Sequence, residues 1–150
     1  MKRRISRHLG GVNWLIRKFS PFKIVVRRGN LRGKKQEYLE NKDKALALAL
    51  LRLEHFNKIY EAKISKVNIK NQKTRWGSCS RKGNINFNYK IALIPSRLAD
   101  YIIVHELCHL KEFNHSRKFW NLVAETIPDW RERRGELKKS GKMSVGDYTG

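Results

Sequence analysis

Two histidines four residues apart, with a glutamate directly after the first, most constrain what this chain can form. Residues 105–109 read His-Glu-Leu-Cys-His. Residues four apart lie one helical turn from each other on the same face, so the imidazoles of His105 and His109 can converge on one metal ion. The carboxylate of Glu106 then lies where it can act on a metal-bound water. The pattern predicts a catalytic metal site on a helix, with Glu106 as general base.

A third ligand is predicted a short distance along the chain. Catalytic zinc typically has three protein ligands and keeps one position for water, whose pKa falls to about 7. His115 lies six residues beyond His109, between Asn114, which suits a left-handed helix stop, and Ser116, which suits a new N-cap. Glu125 is the competing third ligand. We favour His115, because imidazole is the commonest metal ligand and the helix break is visible in the sequence.

The surroundings of the motif predict a buried helix, from about Pro95 to Glu112. Apolar residues cover nearly every side of it: Tyr101, Ile102, Ile103, Val104, Leu107, Cys108 and Leu110. Buried histidines and a buried glutamate require partners or a metal ion. Cys108 is interpreted as a packing residue, and a fourth ligand or a redox switch are the alternative interpretations.

The periodicity of the rest of the chain predicts an α+β domain. The predicted elements are a strand at 23–28, a helix from Asn41, strands at 67–69 and 75–80, a turn at 81–84, a strand at 85–89, the motif helix, a helix capped by Ser116 and a short charged helix at 129–138. This order predicts a small antiparallel sheet packed on the buried motif helix and its neighbouring helices.

The charge distribution divides the chain into three predicted parts: a basic segment at 1–22, a folded domain at 23–138 and a flexible tail at 139–150. The net charge is +21, and residues 1–35 hold twelve Lys and Arg and no acidic residue. Such a field attracts polyanions, so nucleic acid is a candidate partner of the N-terminal region. The sequence has no apolar run of the roughly 20 residues that span a bilayer and no clear secretion signal, so we expect a cytoplasmic protein.

Several short motifs accompany the metal helix. They are Arg75-Trp76-Gly77-Ser78-Cys79, Gly83-x-Ile85, Asn88, Pro95, the run 100–110, Asn114-His115-Ser116, Phe119-Trp120 and Pro128-Asp129. This combination, from about Lys66 to Leu137, resembles the YgjP-like metallopeptidases, which are relatives of the SprT-like zincins. The resemblance implies a compact zincin-like fold, one zinc ion, the three histidines as its ligands and Glu106 as general base.

Substrate contacts are expected near the strand at 75–80. Glycine at position 77 permits close backbone approach, and an extended substrate can pair with such a strand if it lies at a sheet edge. A packed strand with a tight spot is the structural alternative. The residues expected to bind substrate are Arg75, Trp76, Gly77, Ser78 and Asn88.

Three functions are compatible with the sequence. The leading one is zinc-dependent hydrolysis of a peptide or unfolded protein, with Tyr89, Tyr101 or Arg75 stabilising the oxyanion. The second is a metal-dependent phosphohydrolase that releases pyrophosphate from nucleoside triphosphates. The third is a nucleic-acid-binding module with a non-catalytic metal site.

Overall fold

A computed structural model of the chain describes residues 23–24, 35–140 and 144–145. The described strands are β1 (Lys23–Ile24), β2 (Lys66–Lys70), β3 (Arg75–Cys79), β4 (Asn84–Asn88) and β5 (Ser144–Val145). The described helices are α1 (Lys35–Tyr60), α2 (Ser96–Cys108), α3 (Arg117–Thr126) and α4 (Trp130–Ser140), with a short 3-10 helix at Tyr89–Leu93. The α+β class is confirmed.

The strands form one mixed sheet in the order β1-β2-β4-β3-β5. The predicted hairpin is present, because β3 and β4 are antiparallel and the turn between them places Gly83 at a φ of +80°, where a side chain would be strained. The expectation of a wholly antiparallel sheet was wrong, since the other three strand pairs are parallel. Those pairs join segments that are distant in sequence, for which no turn gives a signal.

One face of the sheet packs into the hydrophobic core. Val67 and Ile69 on β2, and Ile85 and Phe87 on β4, are buried and alternate with more polar neighbours. Because successive strand residues point to opposite faces, these four side chains lie on one face. Helices α1 and α2 pack against the sheet, and residues of β4 and β3 contact α2. The sheet therefore supports the helix that carries the metal motif.

Helix α1 begins six residues before the predicted start. It starts at Lys35, so Asn41 is an interior residue of the helix. The side-chain amide of Asn41 donates a 2.8 Å hydrogen bond to the backbone carbonyl of Glu37. Residues 35–40 include strong helix formers, so the helix extends upstream of its predicted start at Asn41. At the other end Glu61 has a φ of 48°, the left-handed conformation that terminates many helices.

Helix α1 braces the two helices around the metal motif. The guanidinium of Arg52 forms a two-pronged ion pair with Asp100 of α2, with N–O distances of 2.6 and 2.7 Å. The hydroxyl of Tyr60 donates to the carbonyl of Leu122 in α3 at 2.8 Å and lies 2.7 Å from the Thr126 hydroxyl. A bidentate ion pair of this kind fixes the relative orientation of the two side chains as well as the distance between them. Together these contacts fix the positions of α2 and α3 relative to α1.

Both ends of the chain were also the subject of predictions. β1 covers Lys23–Ile24 of the strand expected at 23–28, and the rest of that strand and the basic segment 1–22 lie outside the described residues. Helix α4 continues to Ser140, and β5 pairs with β3, so part of the segment expected to be a flexible tail has regular structure. Within the described ranges, no helix has the length and apolar character to cross a bilayer.

Candidate metal centre

Helix α2 delivers the first two histidines from inside the core. Every residue from 101 to 109 is buried, which confirms the predicted all-round burial of this segment. His105 lies in the last turn of α2, and the backbone N–H of His109 donates to the carbonyl of His105 at 3.2 Å. The two rings therefore lie one turn apart on the same side, as the spacing predicted.

The chain reverses after α2 to bring back the third histidine. Three overlapping turns do this: the N–H of Leu110 donates to the Leu107 carbonyl, and those of Lys111 and Glu112 donate to the Cys108 carbonyl. The helix thus ends at Cys108, four residues earlier than predicted.

The residues on either side of His115 were predicted to end one helix, at Asn114, and to cap the next, at Ser116. The left-handed stop predicted at Asn114 is wrong, because Glu61 is the only non-glycine residue with positive φ in the described part of the chain. The tight turns that follow Cys108 redirect the chain without it. The N-cap at Ser116 is confirmed, since its hydroxyl accepts a hydrogen bond from the N–H of Phe119.

The three histidines meet at a single point. The Nε2 atoms of His105, His109 and His115 lie 3.1 Å from one another, in an equilateral triangle. A zinc–nitrogen bond is about 2.0–2.1 Å long, so one ion can reach all three corners of a triangle of this size. Among the described residues this is the only group of histidine, cysteine or acidic side chains whose geometry could hold a metal ion. Glu125, the competing third ligand, is exposed on α3 and outside the group.

The protonation states of these rings favour a cation between them. A neutral imidazole nitrogen either donates or accepts, so at least two of three converging Nε2 atoms must be of the same kind and face each other unfavourably. Nδ1 of His109 lies 3.1 Å from the carbonyl of Glu112. Because a carbonyl only accepts, Nδ1 carries the proton and Nε2 presents its lone pair to the centre of the triangle.

Burial keeps His109 in the form that binds metal. Removal from water lowers the pKa of His109 to about 4, and the neighbouring His115 acts in the same direction. The ring is therefore neutral at physiological pH. Neutral imidazole is the form that coordinates metal ions.

Glu106 belongs to α2, and its fully buried side chain lies against Gly77 of β3. A Cβ built on Gly77 would lie 2.7 Å from both the Cγ and the Oε1 of Glu106. Real Cβ atoms do not approach other atoms so closely, so the absence of a side chain at position 77 is what allows the carboxylate to pack against the strand. The predicted tight spot in β3 is therefore confirmed, and it faces the predicted general base.

Neither cysteine, both of which lie in the described part of the chain, belongs to the group of side chains that could hold a metal ion. Burial raises the pKa of Cys108 to about 12, and burial and the nearby Glu106 raise that of Cys79 to about 12. Both thiols are thus protonated at neutral pH. Cys108 is fully buried and lies beside Tyr60, which favours its interpretation as a packing residue.

The residues expected to bind substrate have different environments. Arg75 is exposed, whereas Trp76 is only 5% exposed. The hydroxyl of Ser78 accepts a 3.0 Å hydrogen bond from the amide of Asn86 on β4. Asn88 is fully buried, and its amide binds the carbonyls at positions 72 and 75 and accepts from the N–H at 90. Asn88 therefore holds the loop before β3 in place, and its contact with a substrate stays a prediction.

The strand itself is not at the edge of the sheet. Arg75 and Gly77 of β3 pair with Ser144–Val145 of β5, so the condition set for pairing with an extended substrate is not met here. The pairing joins segments about 70 residues apart in sequence, for which local pattern offers no signal. Of the candidates for the oxyanion donor, Tyr89 donates to Glu37 at 3.0 Å, and the ring of Tyr101 lies 5.8 Å from that of His105.

Two aromatic neighbours of the histidines, Phe119 and Trp120, belonged to the motif combination, but no role at the metal site was predicted for them. The ring of Phe119 stacks on His109 at 4.3 Å and 25°. The indole of Trp120 stacks on His115 at 5.4 Å and 18°. The available signal was their position in the first turn of α3, directly after the third histidine and its N-cap.

Comparison with known proteins agrees with this geometry. The family model described as YgjP-like, metallopeptidase domain, matches residues 16–140. The crystal structure of the metallopeptidase zymogen of Pyrococcus abyssi abylysin superposes with a TM-score of 0.59 at 26% identity, covering 64% of this chain and 97% of that one. None of the curated proteins matches the chain.

Proposed function

Because the chain belongs to the YgjP-like metallopeptidase family, we propose that it is a zinc-dependent peptidase that hydrolyses peptide bonds in peptides or unfolded proteins. The observation that carries this proposal is the triangle of Nε2 atoms from His105, His109 and His115, with the buried carboxylate of Glu106 on the same helix. The likeness to abylysin, whose crystal structure is that of a metallopeptidase zymogen, supports the same reaction class.

Zinc is the metal that this donor set suits best. Three imidazole nitrogens are the ligand set of several catalytic zinc sites, which bind the ion tightly and leave a position open. Carboxylate-rich, all-oxygen sites are what magnesium and calcium prefer, and the triangle contains no oxygen donor. A bound zinc ion would polarise the scissile carbonyl and lower the pKa of a coordinated water to about 7.

The protein groups around the triangle supply positioning and proton transfer. The carboxylate of Glu106 accepts the proton of the attacking water and returns it to the amine of the leaving peptide. Its position is fixed because it is packed against the backbone of Gly77. The carbonyl of Glu112 fixes the tautomer of His109, so that His109 offers a lone pair rather than a proton at Nε2.

The proposal is tested by metal-dependent cleavage of an unfolded protein. The purified full chain is expected to contain about one zinc per molecule and to cleave a denatured protein substrate. Cleavage should stop after chelation and return when zinc is added. In parallel, nucleoside triphosphates are scored for pyrophosphate release. Release of pyrophosphate without peptide cleavage, by the zinc-loaded chain, would overturn the proposal in favour of phosphohydrolysis.

Replacing Gly77 by alanine tests the position of the general base. The new methyl group must displace Glu106 or bend β3, because it would lie 2.7 Å from the carboxylate. A displacement of about 1 Å can cost about 100-fold in rate, and we expect a fall of that size with zinc content unchanged. Gly135→Ala is the matched control, since nothing lies within 4 Å of its Cβ position. Full activity in Gly77→Ala would show that the contact does not position the base.

Two further properties are proposed from the sequence alone. The N-terminal region, with twelve basic residues and no acidic one in 1–35, is proposed to bind nucleic acid by charge. Its residues are mostly outside the described part of the chain, so the partner stays a prediction. A cytoplasmic location is proposed because two cysteines are too few for a disulfide framework, and reduced thiols suit a reducing compartment.

A further inference from the structure

The third histidine stands at one end of a column of stacked rings, formed by His115, Trp120 and Trp130. The indole of Trp120 lies nearly parallel to the imidazole of His115, at 5.4 Å and 18°, and Trp130 stacks on Trp120 at 3.9 Å and 12°. Two guanidinium groups contact this aromatic column: that of Arg134 lies 5.2 Å from the Trp120 ring, and that of Arg131 lies 4.5 Å from the Trp130 ring.

The three histidines differ in what holds them. His105 and His109 are buried and belong to the end of α2, and His109 is also fixed by the Glu112 carbonyl. His115 is half-buried and precedes the N-cap of α3. A half-exposed side chain on a connecting segment has more rotational freedom than one inside a helix, and that freedom is lost when it binds a metal.

Stacking against Trp120 restricts the rotation of the His115 side chain to the orientation that metal binding requires. A ring that lies against the imidazole of His115 fixes the plane of that imidazole, and this plane aims Nε2 at the other two nitrogens, 3.1 Å away. The same indole lies 5.9 Å from the ring of His105 at an interplanar angle of 59°, so it contacts two of the three rings. Trp130 stacks on Trp120 and lies one ring further along the column from His115.

We propose that Trp120 is a positioning residue that orients His115 for metal binding before the metal arrives. The inference rests on the proposed function, because it requires His115 to be a ligand. Groups that orient a metal ligand by hydrogen bonding typically change metal affinity by about 10–100-fold when removed, and we expect an effect of the same order for a stacked ring. A column that served only to pack α3 against α4 would instead lower the stability of the fold and leave the affinity of the folded protein unchanged.

The test measures metal affinity and coordination, and does not depend on activity. Zinc affinity of the full chain is measured by competition with a chromophoric chelator, and the visible spectrum of the Co²⁺-loaded protein reports the coordination geometry. Trp120→Leu is expected to bind zinc about 10–100-fold more weakly and to alter the Co²⁺ spectrum. Trp120→Phe retains a ring that can stack and is expected to recover most of this loss, to within about three- to tenfold of the wild type.

Trp130→Leu is the matched control. It removes an indole from the same column, but one that stacks on Trp120 rather than on His115. We expect it to lower thermal stability while zinc affinity stays within about threefold of the wild type. If Trp120→Leu folds, binds zinc as tightly as the wild type and keeps its Co²⁺ spectrum, the proposal is overturned.

The remaining outcomes are also decisive. Should Trp120→Leu fail to fold, Trp120→Met decides, because methionine fills space at this position without a ring. A measurable loss of affinity and a shifted spectrum in Trp120→Met support the positioning role, and wild-type values for both contradict it. Failure of the proposed function looks different. In that case His115→Ala itself binds zinc as tightly as the wild type, which shows that the ligand set is wrong and that orientation of His115 has no bearing on the metal.

Discussion

Replacing Glu106 by glutamine is expected to lower peptide hydrolysis by about 10²–10⁴-fold while zinc stays bound. Glutamine has nearly the same shape, so it can occupy the space against Gly77 that the glutamate side chain fills. It cannot accept the proton of the attacking water, because its amide is not a base at neutral pH. The measurements are the turnover number on a denatured protein and the zinc content of the same preparation.

The control for this variant is Glu112→Gln. Glu112 lies in the same segment, and its contribution to the site is its backbone carbonyl, which accepts from His109 and is unaffected by the substitution. We expect this variant to retain zinc and activity. Unchanged turnover in Glu106→Gln with zinc bound would contradict the assignment of Glu106 as general base, whereas loss of zinc would assign it a role in holding the metal.

His115→Ala is expected to abolish stable zinc binding and, with it, activity. Loss of a group that only supports a ligand costs about 10–100-fold in affinity, so removal of one of three ligands should exceed that range. The fold should be little affected, because His115 is half-buried and its removal leaves a partly exposed site rather than a closed cavity. Zinc content after dialysis and the thermal midpoint of the metal-free protein are the two readouts.

Glu125→Ala is the matched variant for the alternative ligand set. Glu125 is exposed on α3 and does not belong to the cluster of donor atoms, so zinc content and activity should match the wild type. The reverse pattern, with zinc lost in Glu125→Ala and kept in His115→Ala, would show that the third ligand is the carboxylate of α3 and that the histidine triangle does not describe the metal-bound site.

Much of the candidate site could be predicted because its signals are local. Two histidines at a spacing of four need only a helix to bring them together, and the apolar residues on every side of that helix require its burial. The N-cap at Ser116 and the hairpin turn ending at Gly83 likewise depend on a few adjacent residues. Boundaries were less accurate: α1 starts six residues before Asn41, because good helix formers precede it.

The sequence by itself thus determined the α+β class and indicated the candidate ligands and base, since each of these follows from spacing and periodicity along one stretch of chain. The tertiary structure alone decided how β2 lies beside β4, what occupies the outer side of β3, that Gly77 touches Glu106, and that Trp120 stacks on His115. Each of these contacts joins different segments of the fold. Their geometry depends on how whole elements pack, which no local pattern of residue types encodes.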